Sequence, residues 1–318
     1  MNNLEEISYD SVLHARFGSY AEWRKTLKPD YTIVWRDIIL GYLALLAILF
    51  ISTIIAPSGI FLFILTILIT SILTGLILAY LALFLHEAGH FNLHADKKKN
   101  DRLARIFLGI PFGTDIRSYR KIHWQHHLHL GATSDTETSY FNALTPQFLV
   151  ESFTGIHLLK VLRKKNSHDV LNTELKKESR KMLLAGAFFN LLVISICLVA
   201  GAWGTAIAWA LGMLVFFPFF ATLRQILEHR HEFAGRGTDY TKTAHGKYSR
   251  LFGSSAFSRV FGAAGFNRHM IHHWDPQASY TRYADIENFL SCSDATKEIV
   301  AGSKTTYWKT LRKLLSQK

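Results

Sequence analysis

Two long stretches of the chain contain no Asp, Glu, Lys or Arg: residues 38–85 and residues 182–223. A helix that crosses about 30 Å of hydrocarbon needs roughly 20 apolar residues, so each stretch holds two crossings joined by a tight turn. Pro57-Ser58-Gly59 breaks the first and Gly201-Ala202-Trp203-Gly204 the second. The pattern predicts spans near 38–56, 60–85, 182–200 and 203–223. The expected fold is an all-α integral membrane protein, with four transmembrane helices in two hairpins. Polar segments at 86–181 and 224–295 complete it as a helical domain outside the bilayer.

Composition alone hides this. The chain has 318 residues, 49% of them hydrophobic, which is ordinary for a globular protein. Charge placement decides the orientation. All 36 Lys and Arg lie outside the two gaps, with 5 in 1–36, 16 in 86–181 and 15 in 224–318. An even number of spans places both termini and the central segment on one side, and that side carries every basic residue. The positive-inside rule makes it the cytosol, with the bacterial inner membrane as the expected location. The net charge of +12 therefore marks a membrane-facing cytosolic surface, and no nucleic-acid partner is expected. The first 30 residues show no signal-peptide pattern. The two cysteines, Cys197 and Cys292, offer neither a disulfide framework nor metal-type spacing.

Histidine is the informative residue. The chain has 16, and eight fall in three groups: His86 and His90; His123, His126 and His127; His269, His272 and His273. Residues i and i+4, or i and i+3, share a helical face, so each group can aim at least two imidazoles at one metal ion. Imidazole suits iron, zinc and copper, whereas magnesium or calcium calls for carboxylates. A ninth, His229, follows the fourth span by six residues. Isolated histidines such as His14, His157, His168 and His245 read as surface or helix-end residues. Nine nitrogens are too many for one ion; two ions with four or five each, and open positions for oxygen or water, fit the count. The absence of thiolates favours non-haem iron, although the count leaves zinc open.

These residues resemble a known family, the membrane-bound fatty acid desaturase and hydroxylase superfamily. The boxes read HEAGH at 86–90, HWQHH at 123–127 and HMIHH at 269–273. The segments HHLHLGATSDTETSY and HHWDPQASYTRYADIENFL that follow boxes two and three are similar to the family's own, and Glu228-His229 matches a further ligand position. The resemblance implies a di-iron centre that activates O2 as co-substrate and removes hydrogen from an unactivated C–H bond. The implied ligands are His86, His90, His123, His126, His127, His229, His269, His272 and His273. Glu87, His94, His129, Asp135, Glu228, Asn267 and Asp275 lie beside the boxes as candidates to orient those rings through the nitrogen not bound to metal. No catalytic residue separate from the ligands is implied. Trp124 is a candidate for a substrate channel.

The implied organisation is an interfacial N-terminal segment at 1–36, a desaturase-like domain at 37–295 and an amphipathic tail at 296–318. In the tail Trp308, Leu311, Leu314 and Leu315 alternate with Lys309, Arg312, Lys313 and Lys318. A fatty acyl chain is the expected substrate, desaturated more readily than hydroxylated, with small amino-acid-like or natural-product molecules as alternatives. No iron–sulfur, haem or dinucleotide motif occurs, so electrons must come from a ferredoxin-like or other external donor, steered by the basic face. Membrane lipids are the remaining partner. Two readings from other classes are weaker. HEAGH matches the His-Glu-xx-His pattern of zinc peptidases, but spans three and four carry no acid to complete such a site. A metal transporter or sensor would place ligands near the bilayer midplane, and no histidine lies inside any span.

Overall fold

The computed structural model describes residues 4–55, 59–167 and 170–317. Pro57 and Ser58 of the first predicted turn, His168 and Lys318 lie outside the described residues. The chain is mostly helical. Eight helices matter here: α1 (Tyr31–Ile55), α2 (Ile60–Gly89), α3 (Ile116–His129), α4 (Thr173–Val199), α5 (Trp203–His229), α6 (His269–Trp274), α7 (Tyr283–Cys292) and α8 (Tyr307–Ser316). The only strands among the described residues are the two-residue pair Leu13–His14 and Gly18–Ser19.

α1, α2, α4 and α5 are each long and apolar enough to cross a membrane. They outrun the charge-free windows. α4 begins at Thr173, where the Asn172 side chain accepts a hydrogen bond from the Leu175 amide at 2.9 Å. α2 continues to Gly89 and α5 to His229. Charge-free windows mark only the part suited to hydrocarbon; helical hydrogen bonding carries on into polar flanks. That overrun places box one and His229 on helix ends. Gly201 ends the α4 turn with φ +74°, the left-handed conformation in which a Cβ is costly.

The described chain divides into two compact units, with boundaries inside α3 after Trp124 and inside α5 after Leu223. The hairpin unit comprises Trp35–Trp124 and Leu144–Leu223. Its core joins Leu45, Leu78, Leu81 and Trp209. Small residues let its helices approach closely: a Cβ on Gly75 would sit 2.3 Å from Cβ of Phe216, and one on Gly212 would sit 2.7 Å from the Thr74 side chain. Asn190 ties the interior together, accepting from the Trp209 indole at 3.0 Å and donating to the Pro111 and Gly186 carbonyls. Outward-facing Leu43, Leu46, Phe50, Ile64 and Phe188 remain exposed, as lipid-facing positions require.

The terminal unit comprises Met1–Val34, Gln125–Ala143 and Arg224–Lys318. Its core packs Leu4, Val12 and Tyr20 of the N-terminal segment against Trp274, Ile286, Phe289 and Leu290. Tyr9 donates to the Trp274 carbonyl at 2.7 Å, and the Trp274 indole donates to the Ile7 carbonyl at 3.0 Å. Two buried arginines spend their charge on backbone oxygens. Arg250 donates to the carbonyls of Leu227 and Arg230 at the end of α5, and Arg230 to those of Tyr140, Asn142, Gly235 and Thr238. A cation satisfying the last carbonyls of a helix also complements its dipole. α8 packs through Tyr307, Thr310 and Leu314, while Trp308 and Leu315 stay exposed.

Candidate metal centre

In the hairpin unit the last turn of α2 carries His86 and Glu87, and His90 is the residue that ends the helix. His123 lies in α3. One ring nitrogen from each of the three histidines lies within 4.8 Å of the others, and Nε2 of His90 and Nε2 of His123 are 3.1 Å apart. All three are buried. Burial first, then the neighbouring His123 ring, pushes the His90 pKa well below the ordinary imidazole range. Tyr119 stacks parallel to His123 with ring centroids 5.5 Å apart, and the Trp124 ring meets His90 edge-on at 5.3 Å. Glu87 is fully buried with a carboxylate oxygen 3.7 Å from Nδ1 of His86, beyond hydrogen-bond length. His94 lies on a turn, where its Nδ1 accepts from the Asp96 amide at 2.9 Å.

The terminal unit gathers six histidines. His126, His229 and His273 bring one ring nitrogen each within 4.8 Å of one another, and a carboxylate oxygen of Glu228 forms a second such group with ring nitrogens of His229 and His269. Nε2 of His269 is 2.8 Å from Nε2 of His229 and 3.1 Å from Nε2 of His273. Nε2 of His272 is 2.9 Å from Nε2 of His127. Burial, reinforced by the adjacent imidazoles, pushes His269 and His273 well below the ordinary range, so these rings are neutral and keep a lone pair.

Two hydrogen bonds identify where that lone pair points. Nδ1 of His229 lies 2.9 Å from the Tyr248 carbonyl oxygen. A carbonyl can only accept, so Nδ1 carries the proton and Nε2 the lone pair. Nδ1 of His126 lies 2.8 Å from Oδ1 of Asp135, and a carboxylate imposes the same tautomer. Asp135 is itself held: Oδ1 accepts from the Glu137 amide at 2.8 Å, and Oδ2 from the Gly131 amide at 3.1 Å and the Tyr140 hydroxyl at 2.5 Å. Gly131 is left-handed, φ +73°, and a Cβ there would fall 2.1 Å from the Gly246 carbonyl oxygen. Only glycine permits that turn.

These nitrogens fit a metal. At a metal–nitrogen bond of about 2.1 Å, adjacent ligands of an octahedral ion lie about 3.0 Å apart and those of a tetrahedral ion about 3.4 Å. The observed Nε2 pairs, at 2.8–3.1 Å, match that spacing. A hydrogen bond could explain one such pair, but Nε2 of His269 sits against two other Nε2 atoms at once and has one proton at most. Glu228 is 1% exposed; its Oε1 lies 3.8 Å from Nε of Arg224 one helical turn back, and its Oε2 lies 3.8 Å from Nε2 of His269.

Other sequence candidates behave differently. Asp275 accepts from the Tyr20 hydroxyl at 2.6 Å and from Arg24, so it ties the N-terminal segment to the end of α6. Asn267 donates to the Gly253 carbonyl at 2.6 Å. His129 is half-buried and belongs to none of the groups above. Three contributors carried no local signal: the Tyr248 carbonyl, Tyr140 behind Asp135, and Tyr283, whose hydroxyl lies 3.0 Å from Nδ1 of His272. The loop after α3 folds Tyr140 back on Asp135 five residues away, and the other two meet their partners across 11 and 19 residues.

Residues 62–291, well over half of the chain, match the family model described as fatty acid desaturase. None of the curated proteins matches the chain at a significant level.

Proposed function

Because the chain belongs to the fatty acid desaturase family, we propose that it is a membrane di-iron oxidoreductase that uses O2 and two external electrons to introduce a double bond into a fatty acyl chain. The observation that carries this reading is the convergence of imidazoles at metal-ligand spacing, with the tautomers of His126 and His229 set from behind. In this reading His86, His90, His123, His126, His127, His229, His269, His272 and His273 hold two irons. Bound iron supplies the redox chemistry that activates O2 and takes hydrogen from an unactivated C–H bond.

The protein's own residues have three tasks. Asp135 and the Tyr248 carbonyl keep protons on the Nδ1 atoms of His126 and His229, leaving each Nε2 to bind metal. Burial keeps His90, His269 and His273 neutral at pH 7. Within the hairpin unit, close packing around Gly75 and Gly212 holds the helix that carries His86 against its neighbour.

In this reading both termini and the box-bearing segments face the cytosol at a bacterial inner membrane, which the confinement of Lys and Arg to those segments supports. Residues 37–295 form the catalytic domain, flanked by an interfacial segment at 1–36 and an amphipathic tail at 296–318. A ferredoxin-like protein delivers the electrons. The test is expression in a heterologous host, followed by mass spectrometry of its lipids and small metabolites. A loss of two hydrogens from acyl chains supports the proposal. Gain of one oxygen points to a hydroxylase. An unchanged lipid pool, with bound zinc and peptidase activity, overturns it.

A further inference from the structure

Two adjoining depressions in the terminal unit share Glu232. The larger, of about 390 Å³, is lined by His231, Phe233, Lys247, Tyr248, Ser249 and Met270 among others. The smaller, of about 80 Å³, is lined by Arg250, Thr305, Lys309, Thr310 and Lys313. Their charge is one-sided. Lys247 and Lys309 are exposed, and the one carboxylate, Glu232, is already engaged by Lys313 at 2.8 Å. Beside the basic side chains lies an apolar element, the Phe233 ring, 64% exposed. Ser249 is 7% exposed, and its hydroxyl has no hydrogen-bond partner among the described residues. Basic rim, exposed aromatic and unsatisfied buried hydroxyl together describe a face made to receive an acidic partner.

The floor of the larger depression leads directly to the histidines. Tyr248 lines it, and its carbonyl is the group that accepts from Nδ1 of His229 at 2.9 Å. Met270 lines it too, one peptide bond from His269. The His231 ring packs on the Tyr248 ring, centroids 4.8 Å apart, and its amide is held by Nε2 of His245 at 2.9 Å. A carrier seated here is therefore separated from His229 by one residue and one hydrogen bond.

We propose that these depressions are the docking face of an acidic one-electron carrier protein, and that Tyr248 bridges it to His229. This rests on the di-iron reading above. Each docking would oxidise the carrier by one electron, which the irons that these histidines would hold would take up. Two dockings supply two electrons, which with two protons and the two hydrogens leaving the substrate reduce one O2 to two waters.

The experiment uses the full chain in detergent with iron loaded, and a reduced [2Fe–2S] ferredoxin as the probe. Binding is followed by titration, and electron transfer by stopped-flow bleaching of the ferredoxin. The double variant Lys247→Glu/Lys309→Glu is expected to raise Kd at least tenfold at low salt and to flatten its salt dependence. It should slow ferredoxin oxidation by a similar factor while leaving reduction by dithionite within twofold. Lys98→Glu in the hairpin unit, which lines neither depression, should change none of these. Four outcomes overturn the docking face: no saturable binding to the unmodified protein, an unchanged Kd in the double variant, an equal effect of Lys98→Glu, or weaker binding only to phosphatidylglycerol vesicles. If dithionite yields no desaturated product in the unmodified protein, it is the di-iron reading that falls.

Discussion

Replacing Asp135 with Asn tests the hydrogen bond behind His126 at the candidate metal centre. The carboxylate is fully buried and accepts four hydrogen bonds, from His126 Nδ1, the Gly131 and Glu137 amides and the Tyr140 hydroxyl. Asparagine has the same shape but one acceptor oxygen. If its oxygen faces His126, its amide confronts the Gly131 amide and strands a buried donor, at about 1–3 kcal/mol. If its amide faces His126, Nδ1 must become an acceptor, and the ring proton moves to Nε2, where metal should bind. Either arrangement weakens the site, and loss of such a partner typically costs 10–100-fold in metal affinity. At about 1.4 kcal/mol per tenfold, that is about 1.4–2.8 kcal/mol. Iron retention against a graded chelator, read by elemental analysis, measures it. Asp275→Asn serves as the contrast, since Asp275 bonds Tyr20 and Arg24. It should lower the melting temperature while keeping iron affinity within threefold. Equal iron retention by Asp135→Asn and the unmodified protein refutes the tautomer argument, and a larger iron loss in Asp275→Asn refutes the assignment of roles.

Three further outcomes follow from the same geometry. His126→Ala or His272→Ala should reduce bound iron and abolish product formation without preventing membrane insertion, as fractionation and lipid analysis would report; full activity in either variant contradicts the ligand set. Gly75→Val drives side-chain atoms into Phe216, 2.3 Å from where a Cβ would lie, and should destabilise the detergent-solubilised protein by about 1–3 kcal/mol, whereas an unchanged melting temperature removes the close-approach argument. His245 is buried, with its pKa pushed down to about 4 by that burial, so it is neutral when folded and protonates more readily when unfolded. Its contribution is complete above about pH 6.5 and declines as pH falls toward 4, at up to about 1.4 kcal/mol per pH unit. His245→Asn should flatten melting temperature against pH across that window, and an unaltered slope would rule His245 out.

The four long helices and their apolar middles were legible from charge placement alone, because a hydrocarbon environment excludes ionised side chains wherever they fall. Box spacing was equally legible, because a helix brings residues three and four apart to one face whatever surrounds it. Neither property extends past the local chain. Spacing within box two could not tell that His123 pairs with His90 while His126 turns to His229 and His273. Both acids beside the boxes looked alike in sequence, yet Asp135 reaches a histidine nine residues back and Asp275 a tyrosine 255 residues away. A hydrogen bond depends on where two backbones come to rest, and a backbone carbonyl such as that of Tyr248 has no side-chain identity to read. The sequence by itself determined the element types, the apolar windows and the candidate metal-binding histidines. Tertiary structure decided the tautomers, the partners of each acid and the surface that leads to His229, because each depends on where loops and helix ends come to rest, whether nine residues apart as for Asp135 and His126 or 255 apart as for Asp275 and Tyr20.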